Sequence, residues 1–132
     1  MHPEEFHELG KTLMENHQDL CKDDSTGLLT RECVNRVSID RFYYSAFLIA
    51  REWLKQNGHW CEESENDHEN VKISIKRCKG LKRANNLAGL IDRLRRDRNK
   101  ACYYPSGYGT YFTENYVKQW CVNSEIFIKR FI

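Results

Sequence analysis

The sequence predicts an all-α fold, an up-and-down bundle of four to five helices. Two observations carry that expectation. Apolar residues recur at helical spacing through five stretches, and the connections between them are short and punctuated by glycine, proline, asparagine and aspartate. The length adds a bound: 132 residues suit one domain, residues 1–132, and are too few for two ordinary ones.

The first helix opens at Pro3, whose missing N–H costs nothing in a first turn, with Glu4 and Glu5 at its positive end. Phe6, Leu9, Leu13 and Leu20 keep helical spacing and carry it to about Leu20. Lys22 to Thr30, with its Asp-Asp-Ser-Thr-Gly run, reads as a loop. The second helix has the clearest pattern, because Ile39, Phe42, Tyr43, Ala46, Phe47, Ala50, Trp53 and Leu54 form one broad amphipathic face. Asn57-Gly58 stops it. After the polar stretch from Trp60 to Asn66, Asp67 suits the cap of a third helix through about Cys78. Gly80 separates it from a fourth helix, Leu81 to Ala101, with Leu87, Leu90, Ile91 and Leu94 on one face. Pro105 and Gly107-Tyr108-Gly109 end that helix. Thr113 caps a last one, striped by Phe112, Tyr116, Trp120, Phe127 and Phe131.

A hydrophobic share of 40% is enough for a core, and a net charge of +2 neither demands nor forbids nucleic acid. The N-terminus lacks a basic start followed by an apolar run, and the stretch from Phe42 to Ala50 is too short to cross a bilayer. A cytoplasmic protein with no membrane partner is the expectation. Six cysteines, none spaced as Cys-x-x-Cys, then read as small apolar side chains in a reducing compartment. His59, Cys61 and His68 fall in or beside one loop without the paired motif of a structural zinc site. No metal and no cofactor is expected.

The segment from Arg93 to Lys100 holds five basic residues in eight. Arg93, Arg96 and Lys100 project together, opposite the leucines, as a solvated face. Arg98 is different: it lies four residues after Leu94 and seven after Ile91, and so continues the apolar stripe. A guanidinium there must either line a cleft or pair with a core carboxylate such as Glu52 or Asp40, because an unpaired buried charge is very costly. Beside an amide (Asn99) and two phenols (Tyr103, Tyr104), it suits a phosphate. Tyr108 offers a ring on which a base can stack, although loop aromatics more often anchor onto the bundle. The candidate RNA-binding set is Arg95, Arg96, Lys100, Tyr104 and Tyr108.

Three passages resemble the HEPN family, small helical domains named for nucleotide binding in higher eukaryotes and prokaryotes. Arg41-Phe42-Tyr43-Tyr44-Ser45-Ala46-Phe47 is similar to its Arg-x-Tyr-Tyr-x-Ala-Phe. Asp67-His68-Glu69-Asn70-Val71 is similar to its Ser-His-x-x-Val. Leu90 through Tyr103, above all Arg98-Asn99-Lys100-Ala101-Cys102-Tyr103, resembles its Leu-x-x-x-Leu-x-x-x-Arg-x-x-Ala-Asp-Tyr. The likeness runs in order over residues 35–130.

The resemblance implies a metal-independent ribonuclease site, Arg-polar-x-x-x-His, in a cleft between two protomers. Arg98 and Asn99 match its first two positions, and Tyr103 stands where the histidine belongs. A phenol titrates near ~10 against ~6.5 for imidazole, so weak cleavage or none is expected. Cys102 replaces the family's aspartate. The reading that follows is a homodimeric binding or regulatory subunit of a toxin–antitoxin or antiviral defence system, associated with RNA. Relatives paired with a nucleotidyltransferase carry AMP on a tyrosine beside the arginine, which makes Tyr103 and Tyr104 the modification candidates. An active endoribonuclease is the alternative. A plain bundle with Arg98 in an ion pair is the third reading.

Overall fold

The computed structural model describes residues 2–16, 31–103 and 112–132, and among these there are five helices and no strand. They are α1 (Pro3–Glu15), α2 (Arg31–Gln56), α3 (Asp67–Arg77), α4 (Ala84–Tyr103) and α5 (Glu114–Lys129). The bundle is organised on α2, the longest of them, which packs against each of the other four. Its face is the one that the spacing predicts: Ile39, Phe42, Tyr43, Ala46, Phe47, Ala50 and Leu54 are all buried. Trp53 sits at the edge of that face, edge-on to Phe131 with ring centroids 5.4 Å apart.

The partners of α2 fill the core from both sides. Val71 and Ile75 come from α3, Leu87, Ile91 and Leu94 from α4, and Val117, Trp120 and Phe127 from α5. Phe112, just before α5, is fully buried, and the Asn35 side chain donates to its carbonyl at 2.8 Å. No helix of the described residues is long and apolar enough to cross a membrane.

The helix ends differ from expectation in ways that local chemistry explains. α1 stops at Glu15, short of Leu20, because Asn16 leaves helical geometry and its side-chain amide donates back to the Thr12 carbonyl at 2.8 Å. Residues 17–30, including Leu20 and the Lys22–Thr30 loop, lie outside the described residues. Its buried face is His7, Gly10 and Met14, whereas Leu9 is exposed and Leu13 half-buried. Gly10 sets this rotation: a Cβ there would lie 2.9 Å from a ring carbon of Phe42, so only glycine lets α1 approach this closely.

The cap of α3 is Asn66 rather than Asp67: its side chain accepts from the His68 N–H at 2.9 Å. α4 starts at Ala84, three residues late, because Arg83 sits in the left-handed region (φ 56°) and breaks the run from Leu81. It continues to Tyr103, two residues beyond the expected end. Thr113 caps α5 as predicted, accepting from the Tyr116 N–H at 3.3 Å. The breaker segment Pro105 to Gly109 lies outside the described residues.

Candidate functional site

The last turns of α4 bring Arg98, Asn99 and Tyr103 together. Leu94 is buried against α2, so the side chain one turn later, Arg98, meets α2 where the apolar face gives way to Asp40. Arg98 Nε donates to Asp40 Oδ1 at 2.9 Å, and Nη1 donates to Asn99 Oδ1 at 3.3 Å. Asp40 is therefore the partner, while Glu52, expected as the other possible core partner, is exposed and accepts from Gln56. The Arg98 side chain keeps 19% exposure, so it is neither solvated nor sealed. Burial opposes its charge, but the Asp40 hydrogen bond and the nearby Cys102 and Tyr103 outweigh burial and raise its pKa above the usual value.

Three phenol rings frame the same group. The Arg98 Cζ lies 5.9 Å from the Tyr43 ring, 5.7 Å from Tyr44 and 6.0 Å from Tyr103, within cation–π range. Tyr43 is buried, Tyr44 half-buried and Tyr103 73% exposed, so the frame runs from the core out to solvent. Asp40 also faces Arg41 Nη2 at 3.8 Å and accepts from the Cys102 thiol at 3.4 Å. Burial first, and then Asp40, raise the Cys102 pKa, which favours the protonated thiol over the thiolate.

The remaining candidates separate. Arg95 is half-buried and faces Glu69 of α3 at 3.7 Å. Arg96 is 71% exposed and pairs along its own helix with Asp92 at 2.7 Å. Arg93 is exposed, as expected, but Lys100 is half-buried and its carbonyl accepts from Arg36 at 3.4 Å. Tyr104 and Tyr108 lie outside the described residues.

Two further residues belong to this end of the bundle that the sequence does not mark as site residues. His68, in the first turn of α3, bonds through Nδ1 to the Tyr43 hydroxyl and stacks on Phe47 at 4.3 Å. Burial, and then the positive charges of Arg95 and Arg98, depress its pKa, so it is neutral at pH 7. The second is Asp97, 4% exposed on the α5 side of α4, where the Tyr116 hydroxyl donates to it at 2.7 Å. His68 had a signal in the Asp67–Val71 passage, but its approach to Arg98 is tertiary and shows in no periodicity. Asp97 was hidden by its place inside a basic run. His59, Cys61 and His68 do not form a metal cluster: among the described residues the grouping of that kind is His7, Cys121 and Glu125.

Fold and site define an α-helical bundle with a basic, tyrosine-framed patch where α2, α3 and α4 meet. No family model matches the chain, and no curated protein or solved structure matches it either.

Proposed function

We propose that this chain is a HEPN-type, RNA-associated protein that works in the cytoplasm as a binding or regulatory subunit of a toxin–antitoxin or antiviral defence system. The observation that carries the reading is the Arg98 guanidinium, held on Asp40 inside three phenols yet open to solvent on one side. Among the described residues its Nη2 has no hydrogen-bond partner, which leaves donors for a phosphate oxygen. Tyr44 and Tyr103 offer faces for a stacked base. Cys102 and Tyr103, at the positions where the family has aspartate and histidine, favour binding over turnover. A second copy of the chain would complete the cleft. A nucleotidyltransferase is the proposed protein partner, with the exposed Tyr103 phenol and Tyr104 as acceptors of an adenylate.

The test is binding of a fluorescent single-stranded RNA by anisotropy across a salt series. Wild type is expected to bind with salt-dependent affinity, and Arg98→Ala to bind roughly tenfold more weakly. No binding by wild type at low salt ends the reading. Intact mass after co-expression with a nucleotidyltransferase tests the modification, since an unchanged mass at the tyrosines removes it.

A second reading, the metal-independent endoribonuclease, is favoured by His68. A neutral imidazole beside arginines and a phenol is suited to proton transfer at a phosphodiester. Cleavage in a metal chelator that is lost in His68→Gln supports it, and absence of wild-type cleavage removes it while leaving the binding reading intact.

A further inference from the structure

We propose that His7, Cys121 and Glu125 form a binding site for a divalent transition-metal ion, of the zinc type, that ties α1 to α5. The site lies away from the Arg98 patch and stands independently of the function proposed for it. The three side chains each offer one ligand atom, and these atoms all lie within 4.8 Å of one another. Cys121 and Glu125 are one helical turn apart on α5, so they share a face, and His7 reaches that face from α1. An imidazole, a thiol and a carboxylate together are a donor set suited to zinc or cobalt rather than to calcium or magnesium.

The surroundings fit such a site. His7 and Cys121 are buried, and Glu125 is half-buried at the opening. A cavity of about 380 Å³ lies alongside, lined by Glu4, His7, Glu8 and Glu125 among others, and gives an ion a path in and a fourth ligand from a carboxylate or water. The Ser124 hydroxyl sits 2.9 Å from His7 Nε2 and donates to the Cys121 carbonyl at 2.9 Å, an outer contact of the kind that orients a ligating imidazole. Ligand atoms around a tetrahedral zinc are roughly 3.3–3.8 Å apart, so the side chains must close by about 1 Å.

One member of the cluster already carries an ion pair: Lys11 Nζ lies 3.6 Å from Glu125 Oε1. A metal ion displaces that ammonium, which is at the surface and returns to water. Burial, opposed by the Glu125 charge, lowers the His7 pKa, so the imidazole is neutral and able to ligate at pH 7. Burial, and then Glu125, push the Cys121 thiol up to about 11, so ligation expels one proton to solvent as the sulfur–metal bond forms. The charged groups facing the pair are Glu8, Lys11 and Glu15 of α1 and Glu125 of α5.

The experiment is cobalt(II) titration of the full chain, with zinc competition. Wild type is expected to develop a thiolate-to-cobalt charge-transfer band that zinc abolishes, with affinity rising about tenfold per pH unit between roughly pH 7 and 8.5. Cys121→Ser should lose the band, and Glu125→Gln, a change at a half-exposed position that leaves the core intact, should weaken it roughly tenfold or more. Zinc should also raise the wild-type melting temperature by a few degrees. No band in wild type, or a band unchanged in both Cys121→Ser and Glu125→Gln, overturns the proposal and leaves a hydrogen-bonded core histidine beside a surface ion pair.

Discussion

Asp97 and Arg98 are neighbours in sequence and opposites in setting. Asp97 turns towards α5, is 4% exposed, and receives the Tyr116 hydroxyl at 2.7 Å. Arg98 turns towards α2, takes Asp40 at 2.9 Å, and keeps 19% of its surface in contact with solvent. Both are charges on the packed side of α4, and both have found partners, as buried charges must. The difference is access. Solvent meets part of the Arg98 side chain, whereas Asp97 is almost wholly covered. Pairing alone therefore separates neither residue into structure or function; openness does.

The largest effect should come from the sealed side. Asp97→Ala removes the acceptor of the Tyr116 hydroxyl bond and opens a hole between α4 and α5, which should cost about 1–3 kcal/mol of stability. Urea unfolding checks this, and RNA affinity of the folded fraction should stay unchanged. A variant as stable as wild type would break the comparison, because Asp97 would then be no more structural than its neighbour.

On the open side the pattern inverts. Arg98→Ala leaves Asp40 with Arg41 at 3.8 Å and the Cys102 thiol, so the carboxylate is not stranded and stability should fall by only about 1 kcal/mol. RNA affinity should fall roughly tenfold, read by anisotropy. A loss of stability larger than that of Asp97→Ala, with binding untouched, would assign Arg98 to the scaffold.

How much of this was legible in the sequence follows from the range of each interaction. The α2 face was readable because apolar spacing along one helix is local information, and the Thr113 cap because its partner is three residues away. The departure of Arg98 from the solvated face was also local, since it depends only on counting from Ile91 and Leu94. The choice between Asp40 and Glu52 was not, because both lie on α2 and only the crossing of α2 and α4 decides it. The turn of α1 onto His7 and Gly10 was hidden for a similar reason: leucine spacing pointed to Leu9 and Leu13, but the close approach to Phe42 demands a glycine. His68 reaches the arginine patch only because the connection after α2 folds α3 back along Tyr43 and Phe47.

That histidine gives the comparison a pH axis. His68 and His7 are both held neutral, with folded pKa values below the unfolded ~6.5. As pH falls below about 6.5 the unfolded chain takes up protons that the folded chain resists. Their contribution to stability is therefore full above that value and is lost as pH drops through the folded pKa values. Melting temperature measured from pH 8 to 5 should decline on the acid side, and His68→Gln should flatten part of the decline. An unchanged profile in that variant would show that the imidazole is not held neutral by burial and the arginines.

The smallest effect should come from Arg96, which shares the basic run but neither setting. Its side chain is 71% exposed and its partner, Asp92, lies one turn back on the same helix. Exposed pairs of this spacing are worth about 0.3–0.5 kcal/mol, so Arg96→Ala should barely move the unfolding midpoint. If Arg96 touches RNA at all it does so as one phosphate contact, and its removal should lower the slope of log affinity against log salt by about one, uniformly across RNA sequences. Arg98→Ala should change the slope by a similar amount yet cost more affinity, because its guanidinium is pre-positioned by Asp40 and Asn99 while that of Arg96 must be ordered on binding. Equal losses in the two variants would mean that pre-positioning contributes nothing, and that the patch attracts RNA by charge alone.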